Sequence, residues 1–134
     1  MQDWPLDNLP GLTAQQQAAL NALGIHTTLQ LLRQGSASHQ RQQLAAALKI
    51  HLKYVNKWVA LADLARVPDV GCQYNGLLLH AGISSTQQLA QASAHRLHPQ
   101  LQRFQVAVLR RVQCPPPAQV SQWIQQARSL LQKP

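Results

Sequence analysis

The chain repeats part of itself, and this repetition narrows the folds open to it more than any other feature. Leu9-Pro10-Gly11-Leu12-Thr13 leads into a run of helical character over residues 14–23, then Gly24-Ile25 and a restart after Thr27. Val67-Pro68-Asp69-Val70-Gly71 leads into a matching run over residues 72–81, then Gly82-Ile83 and a restart after Ser85. One offset of 58 residues aligns the two stretches without a gap, pairing Pro10 with Pro68, Gly24 with Gly82 and Leu31 with Leu89. A fixed internal offset marks a supersecondary unit used more than once.

Each copy reads as helix, tight hairpin, helix and a short third helix. The Pro-Gly and Pro-Asp dipeptides signal turns. Thr13 can cap the helix that follows it, and Gly71 tolerates the backbone angles of a hairpin. Gly24 and Gly82 stand where a left-handed residue ends a helix. Thr27 and Ser85 then cap helices over residues 28–33 and 86–92. Residues 40–66 contain neither Pro nor Gly, and Leu44, Leu48, Leu52, Val55, Val59 and Leu61 or Ala62 recur at helical spacing. That pattern predicts one or two amphipathic helices. Leu97, Leu101, Phe104, Val108 and Val112 predict another, and Pro115-Pro116-Pro117 breaks the chain before a last helix over residues 118–131. Val120, Trp123, Ile124, Ala127 and Leu131 fall on one face of it.

No segment shows sustained strand alternation, so the fold class is all-α. A length of 134 residues suits one domain around one core. Its parts are the first copy (1–35), connecting helices (40–66), the second copy with its following helix (67–112) and the C-terminal helix (118–131). Trp4, Trp58 and Trp123 read as core residues.

An apolar-Gly-apolar-Gly turn between two helices is the mark of a helix-hairpin-helix. The backbone N–H groups of the hairpin and the start of the second helix face a phosphate, which the helix dipole favours. Here the residues in those places are Gly11, Leu12 and Thr13 in copy one and Val70 and Gly71 in copy two. Each copy keeps half of the glycine pair, with Thr13 in the second glycine position and Asp69 in the first. Asp69 would set a negative charge beside an incoming phosphate, so copy one is the better anion site. The alternative is that both hairpins serve packing alone.

Charge points the same way. Twelve Lys and Arg face four Asp and no Glu, a formal charge of +8, while 22 Gln supply much of the polar surface. Such an excess attracts polyanions. Lys49, Lys53 and Lys57 recur every four residues as a basic stripe on a helix, with Arg41 and Arg66 nearby. Arg103, Arg110 and Arg111 form a second cluster. Residues 41–58 also fit helix-turn-helix spacing loosely, with Ala45 inside the first helix, Lys49 at the turn, and Val55 and Trp58 on the buried side of the second. The expected partner is DNA or RNA, held by its phosphate backbone without sequence preference. The alternative is an adaptor or assembly factor that binds an acidic protein.

Other classes lack their parts. Paired carboxylates are scarce, and no Ser-His-Asp or phosphate-loop signature is present, which argues against an enzyme. His95 and His98 share a helix face without the Cys or acid that would complete a metal site, so no metal or cofactor is expected. Cys72 and Cys114 lie far apart, with no disulfide framework, and Cys72 reads as an inert thiol. No apolar run approaches the length of a membrane span, and Met1-Gln2-Asp3-Trp4-Pro5 lacks the features of a signal peptide. A cytoplasmic location is the expectation.

Several stretches carry a family resemblance: Trp58-Val59-Ala60-Leu61-Ala62-Asp63-Leu64-Ala65-Arg66-Val67-Pro68-Asp69-Val70-Gly71-Cys72-Gln73-Tyr74, Leu77-Leu78-Leu79-His80-Ala81-Gly82-Ile83, Gln87-Gln88-Leu89-Ala90 and Val120-Ser121-Gln122-Trp123-Ile124. Together they resemble a bacterial, cyanobacterial-type domain family of unknown function with tandem helix-hairpin-helix motifs. The resemblance implies a non-enzymatic, nucleic-acid-binding module.

Overall fold

Capping groups and three left-handed helix ends divide the chain into short helices. The computed structural model describes residues 2–107 and 115–132. A 3-10 turn, Leu6–Asn8, precedes α1 (Ala14–Ala22), α2 (Thr28–Gln34), α3 (Ser38–Leu48), α4 (Leu52–Ala65), α5 (Gly71–His80), α6 (Thr86–Gln91), α7 (Ala94–Ala107) and α8 (Pro117–Gln132). No strand is formed among the described residues, and the domain is all-α as expected. Val108, Val112, Arg110, Arg111, Cys114 and the side chain of Phe104, all weighed from the sequence, lie outside the described residues.

The expected caps form. Thr13 and Gln16 close a reciprocal capping box at α1, with Gln16 N–H donating to Thr13 Oγ1 (3.1 Å) and Thr13 N–H to Gln16 Oε1 (3.0 Å). Thr27 and Ser85 accept from the N–H groups of Gln30 and Gln88 at the starts of α2 and α6. Gly24 (φ +83°) and Gly82 (φ +93°) end α1 and α5, each followed by an Ile whose N–H reaches back to Leu20 or Leu78.

Lys49 ends α3 in the same way. Its φ is +57°, and the N–H of Ile50 donates to the carbonyl of Ala45 (3.1 Å). Lys49-Ile50 thus copies Gly24-Ile25 and Gly82-Ile83, at a cost of roughly 1–2 kcal/mol for a side chain in the left-handed region. This splits residues 40–66 into α3 and α4. It also corrects the basic stripe: Lys53 and Lys57 share α4, and Lys49 stands outside it.

Copy one differs from expectation at its start, where a 3-10 turn takes the place of a leading helix. The core differs too. It forms two clusters instead of one: Leu6, Leu20, Leu31, Leu44, Val55, Trp58 and Leu61 anchor the first, and Leu64, Leu77, Leu89, Leu101, Val120 and Trp123 the second. α4 feeds both, because buried residues on nearly every side of its C-terminal half face a different neighbour.

The likeness of the halves also runs further than the 58-residue offset. α4 carries Val55, Trp58, Val59 and Ala62, and α8 carries Val120, Trp123, Ile124 and Ala127 at identical spacing. α4 packs on α2 as α8 packs on α6. Trp58 and Trp123 are both buried, whereas Trp4 is only half-buried.

Candidate nucleic-acid interface

The turn before α1 is open. Pro10 fixes φ at the first corner and Gly11 takes φ +79° at the second, the arrangement of a type II turn. Among the described residues, the N–H of Gly11 donates to no group of the chain. The Lys57 ammonium comes to this glycine from α4, and its Nζ lies 3.5 Å from where a Cβ on Gly11 would stand. Gly11 and Thr13 are exposed and Leu12 is half-buried. A bare backbone N–H beside a lysine, one residue pair before a capped helix, is chemistry that suits an oxyanion.

The turn before α5 is closed. Val70 N–H and Gly71 N–H both donate to the carbonyl of Val67 (3.1 Å each). Asp69 and Gln126 of α8 bond reciprocally, N–H to Oε1 at 3.1 Å and Nε2 to Oδ2 at 2.7 Å. Val70 is buried. Gly71 has φ +52°, and the Trp4 indole lies 2.9 Å from the place a Cβ would take. Trp4 is held there by its Nε1, which donates to the carbonyl of Ala65 (2.9 Å). Pro68 and Asp69 are exposed, but of the two copies only the first keeps a backbone N–H at this point of its turn that is unbonded among the described residues. Nothing in the sequence pairs Trp4 with Gly71, which lie 67 positions apart.

The remaining basic residues divide. Lys53 and Lys57 lie one turn apart on the exposed N-terminal half of α4, with Lys53 Nζ 5.2 Å from the Tyr54 ring centroid. Arg41 is tied down: its Nε donates to Asn56 Oδ1 (3.0 Å) and its Nη1 to the carbonyls of Gly35 (2.8 Å) and Ser36 (3.2 Å). Arg66 Nε pairs with Asp63 Oδ1 at 2.8 Å. Asp63 also accepts from the buried Thr86 hydroxyl (2.9 Å). Arg103 is exposed. The helix-turn-helix expectation places its residues as observed, with Ala45, Val55 and Trp58 buried and Lys49 at the turn.

Three of the four carboxylates are engaged inside the molecule. Asp3 accepts from Leu29 N–H at the start of α2 (3.1 Å), Asp63 holds Arg66 and Thr86, and Asp69 holds Gln126. Asp3 with Thr28 and Asp63 with Thr86 form the same contact in the two halves, so the N-terminal segment stands in for the end of α4. The sequence reading missed this pairing, although Thr28 and Thr86 share the 58-residue offset. Burial pushes the Cys72 thiol up to about 11, which leaves it protonated at neutral pH. His98 Nε2 lies 2.9 Å from the carbonyl of Pro115, and no group of three or more metal-ligating side chains gathers among the described residues. No helix among them is long and apolar enough to cross a membrane.

No curated protein and no solved structure matches the chain. The family comparison matches over residues 10–130, so the chain belongs to DUF4332, a domain of unknown function.

Proposed function

We propose that this protein is a non-enzymatic module that holds the phosphate backbone of DNA or RNA through the turn at Gly11, Leu12 and Thr13. The observation that carries the reading is the placement of the Lys57 ammonium against Gly11, whose N–H is unspent. The formal charge of +8 supports it, as does the internal engagement of three of the four carboxylates. In this reading the turn and α1 act as the binding half of a degenerate helix-hairpin-helix, and the second copy is a packing element sealed by Trp4 and Gln126. Backbone recognition without side chains that read bases gives little sequence preference and a steep salt dependence.

Fluorescence polarisation with labelled duplex DNA and RNA, at low and near-physiological salt, tests the proposal. Binding at low salt that weakens steeply with added salt is expected. Gly11→Val should abolish it by placing a side chain where a phosphate oxygen must approach, while Gly82→Ala, a control with comparable backbone strain, should leave it intact. Absence of low-salt binding, or equal binding by the two variants, refutes the reading.

A further inference from the structure

A cleft of about 570 Å³ opens where the two halves meet, lined by Leu32, Ser36, Arg41, Asn56, Val59, Ala60, Asp63, Arg66 and Ser84. It lies apart from the Gly11 turn in its lining: Asn56, Ala60 and Asp63 form one face of α4, and Lys57 points about 100° away from Asn56. We propose that this cleft is a second oxyanion site, one that takes the phosphate group of a phosphorylated ligand.

Arg41 supplies the first argument. Three acceptors hold its Nε and Nη1, which fixes the plane of the guanidinium. The N–H groups of its Nη2 have no partner among the described residues. A guanidinium already immobilised by the protein loses little further entropy when it binds, which favours an oxyanion that meets its spare Nη2 donors. Asn56 supplies the second. Its Oδ1 accepts from Arg41, so the amide orientation is set and Nδ2 is left as an unspent donor at the cleft.

Charge completes the case. Arg41 and Arg66 face one acid, Asp63, and Asp63 Oδ1 is already held by Arg66 Nε and the Thr86 hydroxyl. The carboxylate is offset in place, and the net positive charge of the lining resides on the arginine with spare donors. The Ser36 and Ser84 hydroxyls at the rim already donate to Gln40 Oε1 (3.1 Å) and Gln88 Oε1 (2.8 Å), so the donors to the anion are those of Arg41 and Asn56. The site stands independently of the Gly11 turn, and either could exist without the other.

Pyrophosphate titrated into the intact protein at matched ionic strength tests the proposal, with the Arg41 side-chain Nε–H signal followed by NMR. A saturable shift is expected, and Asn56→Asp should weaken binding roughly tenfold, since it keeps the acceptor for Arg41 and replaces the free donor with a charge. Arg41→Gln should do the same, and Arg103→Gln, which removes one exposed charge outside both sites, should change nothing. Circular dichroism melting of Asn56→Asp checks that the fold is kept. A competition arm distinguishes the ligand's source: displacement of pyrophosphate by a short oligonucleotide assigns the site to a nucleic-acid backbone. Displacement by mononucleotides alone assigns it to a free phosphorylated molecule. No saturable shift, or equal pyrophosphate affinity in folded Asn56→Asp, overturns the proposal.

Discussion

Substitution of Gly71 by Ala tests the sealing of the second turn, and its expected size follows from two separable costs. The first is conformational: a side chain at φ +52° costs roughly 1–2 kcal/mol, less about 0.4–1 kcal/mol regained by restricting the unfolded chain. Gly82→Ala isolates this term, because φ there is +93° and no atom lies within 4 Å of the new methyl group. The second is steric. At Gly71 the methyl carbon would stand 2.9 Å from Trp4 Cζ2, and the indole must move off its bond to Ala65. Displacing a packed ring costs about 1–3 kcal/mol, including about 1 kcal/mol for the bond. Urea denaturation followed by circular dichroism should therefore place Gly71→Ala about 1–3 kcal/mol below Gly82→Ala. In a Trp4→Ala background the excess should vanish, a coupling of about 1 kcal/mol or more. Equal losses for the two glycine variants, with no coupling to Trp4, would show that the indole does not seal this turn.

Lys49→Gly should stabilise the protein by about 0.5–1 kcal/mol in the same denaturation assay, since it relieves the left-handed strain at the end of α3. Thr13→Ala removes the capping box of α1 and should cost about 1 kcal/mol, read from the urea midpoint at constant slope. Lys57→Gln should reduce the salt slope of nucleic-acid binding by about one, and Lys49→Gln should reduce it less. In a Cys114→Ser background, alkylation of Cys72 should rise with pH toward a midpoint near 11, against 9.0 for an unperturbed thiol. The sign for stability follows: burial favours the thiol, so its contribution is complete below pH 9 and is lost as pH rises toward 11.

Sequence alone determined the helical elements, because their causes are local. Thr13, Thr27 and Ser85 cap within three residues, Gly24 and Gly82 end helices by their own backbone freedom, and Val120, Trp123, Ile124 and Ala127 mark the buried face of α8 by spacing. Two further signals were legible but overlooked. Lys49-Ile50 resembles Gly24-Ile25 with a residue that hides the helix end, and the Val-Trp-Ala pattern of α4 recurs in α8 at a different offset.

Tertiary structure decided which of the two turns keeps an unbonded backbone N–H. At the sequence level they are mirror cases, each with one glycine of the expected pair. Which of them closes depends on Trp4 and Gln126, distant residues whose positions follow from packing, and neither leaves a local pattern in the chain. Packing likewise brought Lys57 to Gly11 and turned Arg41 into the wall of a cleft, since a helix pattern fixes which face a lysine occupies and says nothing of what that face meets. The repeated turn with which the chain announces itself is thus one motif by sequence and two different surfaces in space.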